Sequence, residues 1–164
     1  MAKHQLVGAF GERSVEAELL RRGWVAANVN ASVKNAADFD IFALKNGRTI
    51  QVRVKTCGPG VTGFQFNFPP NLPISLDGIG RSDFTILVRM DKTREGDKFF
   101  VMPTAQLRKE VAARQKAYLS IPTRQGQKRK DTGHWTLHFR GGTGIDENWK
   151  KYLEAWNLLE GETN

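Results

Sequence analysis

Glu12, Asp40 and Lys55 are the side-chain types that phosphodiester hydrolysis requires. Carboxylates hold a hard divalent cation such as Mg²⁺ through oxygen. The cation polarises the phosphate and acidifies water, and a lysine can orient that water or offset developing negative charge. The three residues lie 28 and 15 positions apart, so the chemistry needs elements that bring them to one sheet edge. A helix must carry Glu12, one strand of a hairpin Asp40, and the end of the other strand Lys55.

The pattern supplies such elements. Gly11-Glu12 opens a helical run, GERSVEAELLRRG, with Val15, Leu19 and Leu20 at helical spacing. Arg21 and Arg22 suit its C-terminal dipole, and Gly23 stops it. Residues 24–27 read as a short strand and NVNASVKNAA as a polar loop. Residues 38–44 form a second strand, and Asn46-Gly47 marks a tight hairpin turn. From Thr49 to Thr56 the alternation is clean: Ile50, Val52 and Val54 face one way, and Gln51, Arg53 and Lys55 the other. Further strands are expected at 63–68, 83–90, 98–102 and 134–139, and a helix from about Ala105 to Leu119. A terminal helix over 146–160 would be capped by Asp146 and striped by Trp149, Tyr152, Leu153, Trp156 and Leu159. The expectation is one α/β domain over 1–164, with a core at about 8–120, a basic loop at 121–134 and the C-terminal helix.

The order helix-Glu, strand-Asp, turn, strand-Lys resembles the PD-(D/E)XK nuclease superfamily. The matching pieces are Gly11-Glu12, DIFAL (40–44) and VKT (54–56). The later DFTILVRM, KFFVMPT and following helix look like its Holliday-junction-resolvase and restriction-type branches. The resemblance spans about 8–104, most strongly 11–56. It implies a restriction-endonuclease-like αβββαβ core with a mixed central sheet flanked by helices, and Mg²⁺- or Mn²⁺-dependent DNA cleavage. By motif position Asp40 would be the principal metal ligand, Glu12 a supporting metal ligand and Lys55 the catalytic lysine, with Gln51 and Arg53 shaping the same face. The departure is Arg53, where the superfamily has an acid or sometimes Gln; a guanidinium cannot ligate a cation. The second ligand could have migrated to Gln51, Asp38 or Glu16. Arg53 could instead contact phosphate. Or the site could be degenerate, leaving a nucleic-acid-binding module. Taken singly, each residue has a plainer explanation: Glu12 as a first-turn dipole partner, Asp38 and Asp40 as strand-edge charges, Lys55 as an exposed strand lysine. Only the joint order is specific.

Charge points to the partner. The net charge is +8, and residues 105–130 alone hold eight bases against one acid. Arg108, Lys109, Arg114, Lys116, Arg124, Lys128, Arg129 and Lys130 could follow a DNA backbone, giving affinity without sequence readout; a solvated face is the plainer alternative. A small protein-interaction domain meeting an acidic partner is a third reading. The single cysteine, Cys57, excludes an internal disulfide and a Cys-rich zinc site. No apolar run approaches the roughly 18 residues of a membrane helix, and no secretory leader is visible, so a cytoplasmic setting without membrane contact is expected. A homodimer is compatible with the fold, but no residue pattern specifies an interface. His4, His134 and His138 form no metal spacing with Cys57. GGTG at 141–144 lacks the residues of a phosphate loop. Phe64, Phe66 and Phe68 read more readily as a buried strand face than as a base-stacking platform.

Overall fold

The computed structural model describes residues 3–31, 38–67, 82–138 and 149–161. Helix α1 (Lys3–Arg21) leads into strand β1 (Val25–Asn28), a 3₁₀ turn (Val29–Ala31), β2 (Ile41–Lys45) and β3 (Arg48–Cys57). Strand β4 (Gly63–Asn67), β5 (Phe84–Arg89), β6 (Lys98–Pro103), helix α2 (Thr104–Ser120) and β7 (His134–His138) follow. Five strands form a mixed sheet in the order β1-β2-β3-β5-β6, antiparallel except for the parallel β3–β5 pair. This is the mixed α/β class expected from the pattern, with the second helix following β6 as read. Strands β4 and β7 pair in a separate antiparallel ribbon.

Alternation decides which residues meet. On β3, Ile50 and Val52 are buried under α1 with Val15 and Leu19, and Val54 packs against the same core. Gln51, Arg53 and Lys55 therefore fall on the opposite face, toward the second core, which α2 and the β4–β7 ribbon close with Leu107, Val111, Phe64 and Phe66. The aromatic stripe of β4 is thus a buried face at Phe64 and Phe66; Phe68 lies outside the described residues. The hairpin pairs Lys45 with Arg48, and Asn46 and Gly47 both take positive φ (50° and 78°), as a two-residue primed turn demands.

Two expected elements need correction. The helix does not open at Gly11 but at Lys3. Gly8 and Gly11 weaken the local preference for helix, yet the helix runs through both, and its described residues become buried against the sheet only from Gly11 on. Gly11 faces β3 so closely that a Cβ there would lie 2.8 Å from Thr56 Cβ and overlap its Oγ1. Glu12 consequently sits more than two turns into α1, where the dipole no longer accounts for it. Leu20, expected on the apolar stripe, is exposed.

The terminal α-helix over 146–160 is also absent from the described part: residues 149–161 form two 3₁₀ turns, Lys150–Tyr152 and Trp156–Glu160. Between them Leu153 bridges to Phe100, Glu154 N–H donates to Phe99 O (2.8 Å), and Glu154 takes φ 53°. The segment wraps the edge of β6, so Trp149 and Tyr152 enter the α2-side core while Trp156 and Leu159 enter the α1-side core. One straight helix cannot reach both faces of a sheet. The wrap also covers an otherwise open edge. The expected cap, Asp146, lies outside the described residues.

The Gly11–Thr56 approach yields the first prediction. Gly11→Ala improves intrinsic helix propensity by about 1 kcal/mol, yet overpacking of this kind costs roughly 1–3 kcal/mol. The tightness of this approach sets the upper end, so the urea midpoint of Gly11→Ala should fall. Thr56→Ala in the same chain should recover part of the loss.

Candidate active site

Asp40 stands one residue before β2, where the chain leaves β3. Its N–H donates to Val52 O (2.9 Å) and its carbonyl accepts from Val29 N–H (2.9 Å). Its Oδ2 accepts the N–H of Val54 at 2.6 Å. The carboxylate thereby takes the place of a strand partner just where β3 runs on toward Lys55. Asp40 Oδ1 accepts from Asn30 Nδ2, also at 2.6 Å.

Glu12 reaches the same neighbourhood from α1. Its Oε2 accepts from Asn28 Nδ2 (2.8 Å), and Asn28 Oδ1 accepts from Asn30 N–H (2.9 Å). Glu12 and Asp40 are therefore joined through two asparagines at the end of β1 rather than touching. Pattern alone assigns both asparagines to a polar loop and gives them no role at the site. A signal for them exists: two Asn two residues apart, directly after a strand and before the key aspartate, is a local turn-forming pattern.

Lys55 approaches from β3 on the α2 side, its ammonium 5.2 Å from the centre of the Phe66 ring. Its pKa is lowered from the usual 10.5, first by burial and then by the neighbouring Arg53 guanidinium, while the Asp40 carboxylate pulls the other way. That mutual influence places Asp40, Arg53 and Lys55 in one electrostatic cluster. Arg53 itself donates to Asp38 O (3.2 Å). Gln51 has an exposed side chain, and its N–H is taken by Asp83 Oδ2 (2.8 Å).

Among the described residues no three His, Cys, Asp or Glu side chains gather as a metal site. Glu16 is committed to Arg13 (3.1 Å) and Asn28 N–H (3.3 Å), and Asp38 is exposed. The donors near Asp40 are nonetheless of the right kind for a hard dication: two carboxylates with lone pairs to spare, and the Asn30 Oδ1, which is buried without a hydrogen-bond partner.

The basic residues divide into two groups. Lys109, Lys116, Arg124, Lys128 and Lys130 are exposed. Arg108 is half-buried, Arg114 lies over Trp149 (5.5 Å) near Glu110, and Arg129 lies over Tyr118 (4.3 Å) while donating to its hydroxyl. His134 and His138 are exposed on β7, Cys57 is buried, and the side chain of His4 and residues 141–144 are outside the described set. No helix among the described residues is long and apolar enough to cross a membrane.

Neither a family model nor a curated protein matches the chain. Among solved structures it is similar to the bacterial homing endonuclease I-Ssp6803I, with a TM-score of 0.57 and 14% identity over 99% of this chain and 100% of that one. MepB matches at a TM-score of 0.38 and 13% identity, over 93% and 96% of the two chains. The first likeness is one of fold: the chain shares the overall architecture of that endonuclease.

The Lys55 environment has a measurable consequence. A lysine whose folded-state pKa is lowered destabilises the fold while charged, and the cost fades as pH rises through that pKa toward 10.5, because the unfolded chain binds more protons in that window. Lys55→Met should therefore raise the urea midpoint at pH 7. Its advantage over wild type should be constant below the window and shrink on approach to pH 10.5.

Proposed function

We propose that the protein is a divalent-cation-dependent DNA endonuclease of the PD-(D/E)XK type, hydrolysing phosphodiester bonds. The observation that carries this reading is the Asp40 carboxylate held by Val54 N–H on the strand that runs on to Lys55, with Glu12 tied to Asp40 through Asn28 and Asn30. The similar fold of a homing endonuclease supports it.

Asp40 and Glu12 would hold Mg²⁺ or Mn²⁺, which when bound supplies Lewis-acid polarisation of the scissile phosphate. The hydrogen bond from Val54 fixes the Asp40 carboxylate against the sheet, so its free lone pairs point in a constant direction. Lys55 would orient the attacking water. Burial and Arg53 weaken its hold on a proton, the direction a base at ordinary pH needs. Arg53, unable to ligate a cation, is suited to a phosphate oxygen. The exposed lysines of α2 and the following loop, with Arg124, would receive the flanking backbone.

A second reading, a non-cleaving nucleic-acid module on the same fold, draws on Arg53 and on the absence of a three-acid cluster among the described residues. Supercoiled plasmid incubated with Mg²⁺ or Mn²⁺ separates the two. The enzyme reading expects nicking that EDTA abolishes and that Asp40→Ala and Lys55→Ala each reduce by at least about 100-fold, the scale of a lost general base or charge stabiliser. Binding without nicking, unchanged by Asp40→Ala, would establish the module.

The exposed bases make a separate prediction. Replacing Lys109, Lys116, Lys128 and Lys130 one at a time by Ala should weaken DNA binding irrespective of sequence. Removing a lysine that neutralises a phosphate should flatten the log–log salt slope by about 0.9. Alanine at Arg114 or Arg129, which are held by aromatic rings, should leave the slope near wild type.

A further inference from the structure

We infer that Asn30 is the missing cation ligand: its Oδ1 takes the position in the donor set that the superfamily gives to the acid replaced here by Arg53. The inference rests on the cation-binding reading above and names a residue that the motif does not contain.

The orientation of the amide is set by its partner. Asp40 Oδ1 can only accept, so the Asn30 amide must present its nitrogen to it, and the 2.6 Å separation fixes the flip. The amide oxygen then lies on the other arm of the same planar group, roughly 4–5 Å from Asp40 Oδ1 at most by amide and hydrogen-bond dimensions. Two oxygens share one dication at the usual oxygen–metal distance of about 2.1 Å only when they stand within about 4.2 Å of each other, so the amide must lie at the near end of that range.

Asn30 Oδ1 is also buried with no hydrogen-bond partner. A buried acceptor left unsatisfied is costly and calls for a missing water or ion. Asn30 is held from two sides, by its N–H on Asn28 Oδ1 and its Nδ2 on Asp40. Its oxygen is thus pre-aimed rather than free to turn to solvent.

The other candidates for a migrated ligand are engaged elsewhere or turned to solvent. Glu16 pairs with Arg13 and accepts from Asn28 N–H, and Asp38 and Gln51 are exposed. A neutral amide oxygen brings less charge to a cation than a carboxylate does. Converting Asn30 to an acid should therefore improve the cation site even though it removes the hydrogen bond to Asp40.

Mn²⁺ binding to the full chain, followed by loss of the free-ion EPR signal, tests this. Asn30→Ala should weaken Mn²⁺ at least about tenfold, and Asn30→Asp should bind at least as tightly as wild type. A residue that serves only as a donor to Asp40 would behave oppositely: Asp, unable to donate, would be no better than Ala, and that result overturns the inference. So does wild-type affinity in Asn30→Ala. A measurement on the unaltered sequence covers variants that fail to fold. In protein labelled with ¹⁵N-asparagine, Mg²⁺ should move the Asn30 side-chain amide resonances, and resonances that stay in place refute the assignment. Asp40→Ala separates the cation site itself from the role of Asn30. Loss of Mn²⁺ in Asp40→Ala with retention in Asn30→Ala leaves the cation site standing without Asn30, whereas no Mn²⁺ binding by wild type removes both.

Discussion

The candidate site depends on one hydrogen bond, from Val54 N–H to Asp40 Oδ2. β3 is longer than β2, so beyond Ile41 its amides lose their ladder partner on that side. A buried N–H without an acceptor is costly, and the Asp40 carboxylate meets that need. The same bond locks the carboxylate beside the stretch of β3 that carries Lys55. Structural necessity and chemical placement coincide in one side chain, so the plainer explanation of Asp40 as a strand-edge charge is insufficient: it is half-buried and bonded through both oxygens.

Around that point the sheet acts as a partition. Helix α1 brings Glu12 from one side through Asn28, and the α2-side core brings Phe66 under Lys55 from the other. Asp40 sits just before β2, where the partition stops, and there its charge acts on Lys55. Gly11 makes the first approach feasible by letting α1 lie directly on Thr56. The second depends on the β4–β7 ribbon, whose Phe64 and Phe66 are both buried, keeping water from the lysine stem and lowering its pKa.

Strand placement was legible because alternation is a local signal. The Ile50/Val52/Val54 face, the Asn46-Gly47 turn and the run from Phe84 to Arg89 could each be read in windows of a few residues. The helix boundaries were less legible. Lys3–Phe10 is helical although Gly8 weakens the local preference, and its Leu6 and Phe10 are exposed, so the burial that marks Val15 and Leu19 is missing as a signal there. Residues 149–160 show a helical apolar stripe that the fold splits between two cores, since their amphipathic spacing is equally satisfied by a chain wrapping an edge strand. Periodicity reports which residues are buried and is silent about how many cores bury them.

By itself the sequence determined the residue types at the site, their order along the chain and the excess of positive charge in residues 105–130, because these are properties of composition and local spacing. Only the tertiary structure decided that Glu12 reaches Asp40 through Asn28 and Asn30, that Lys55 lies against Phe66, and that Arg114 and Arg129 are drawn onto aromatic rings while neighbouring lysines stay exposed. The reason is that hydrogen-bond partners and burial depend on where separate segments converge in space. A polar loop carries no mark of which carboxylate it will face until the strands on either side of it have paired.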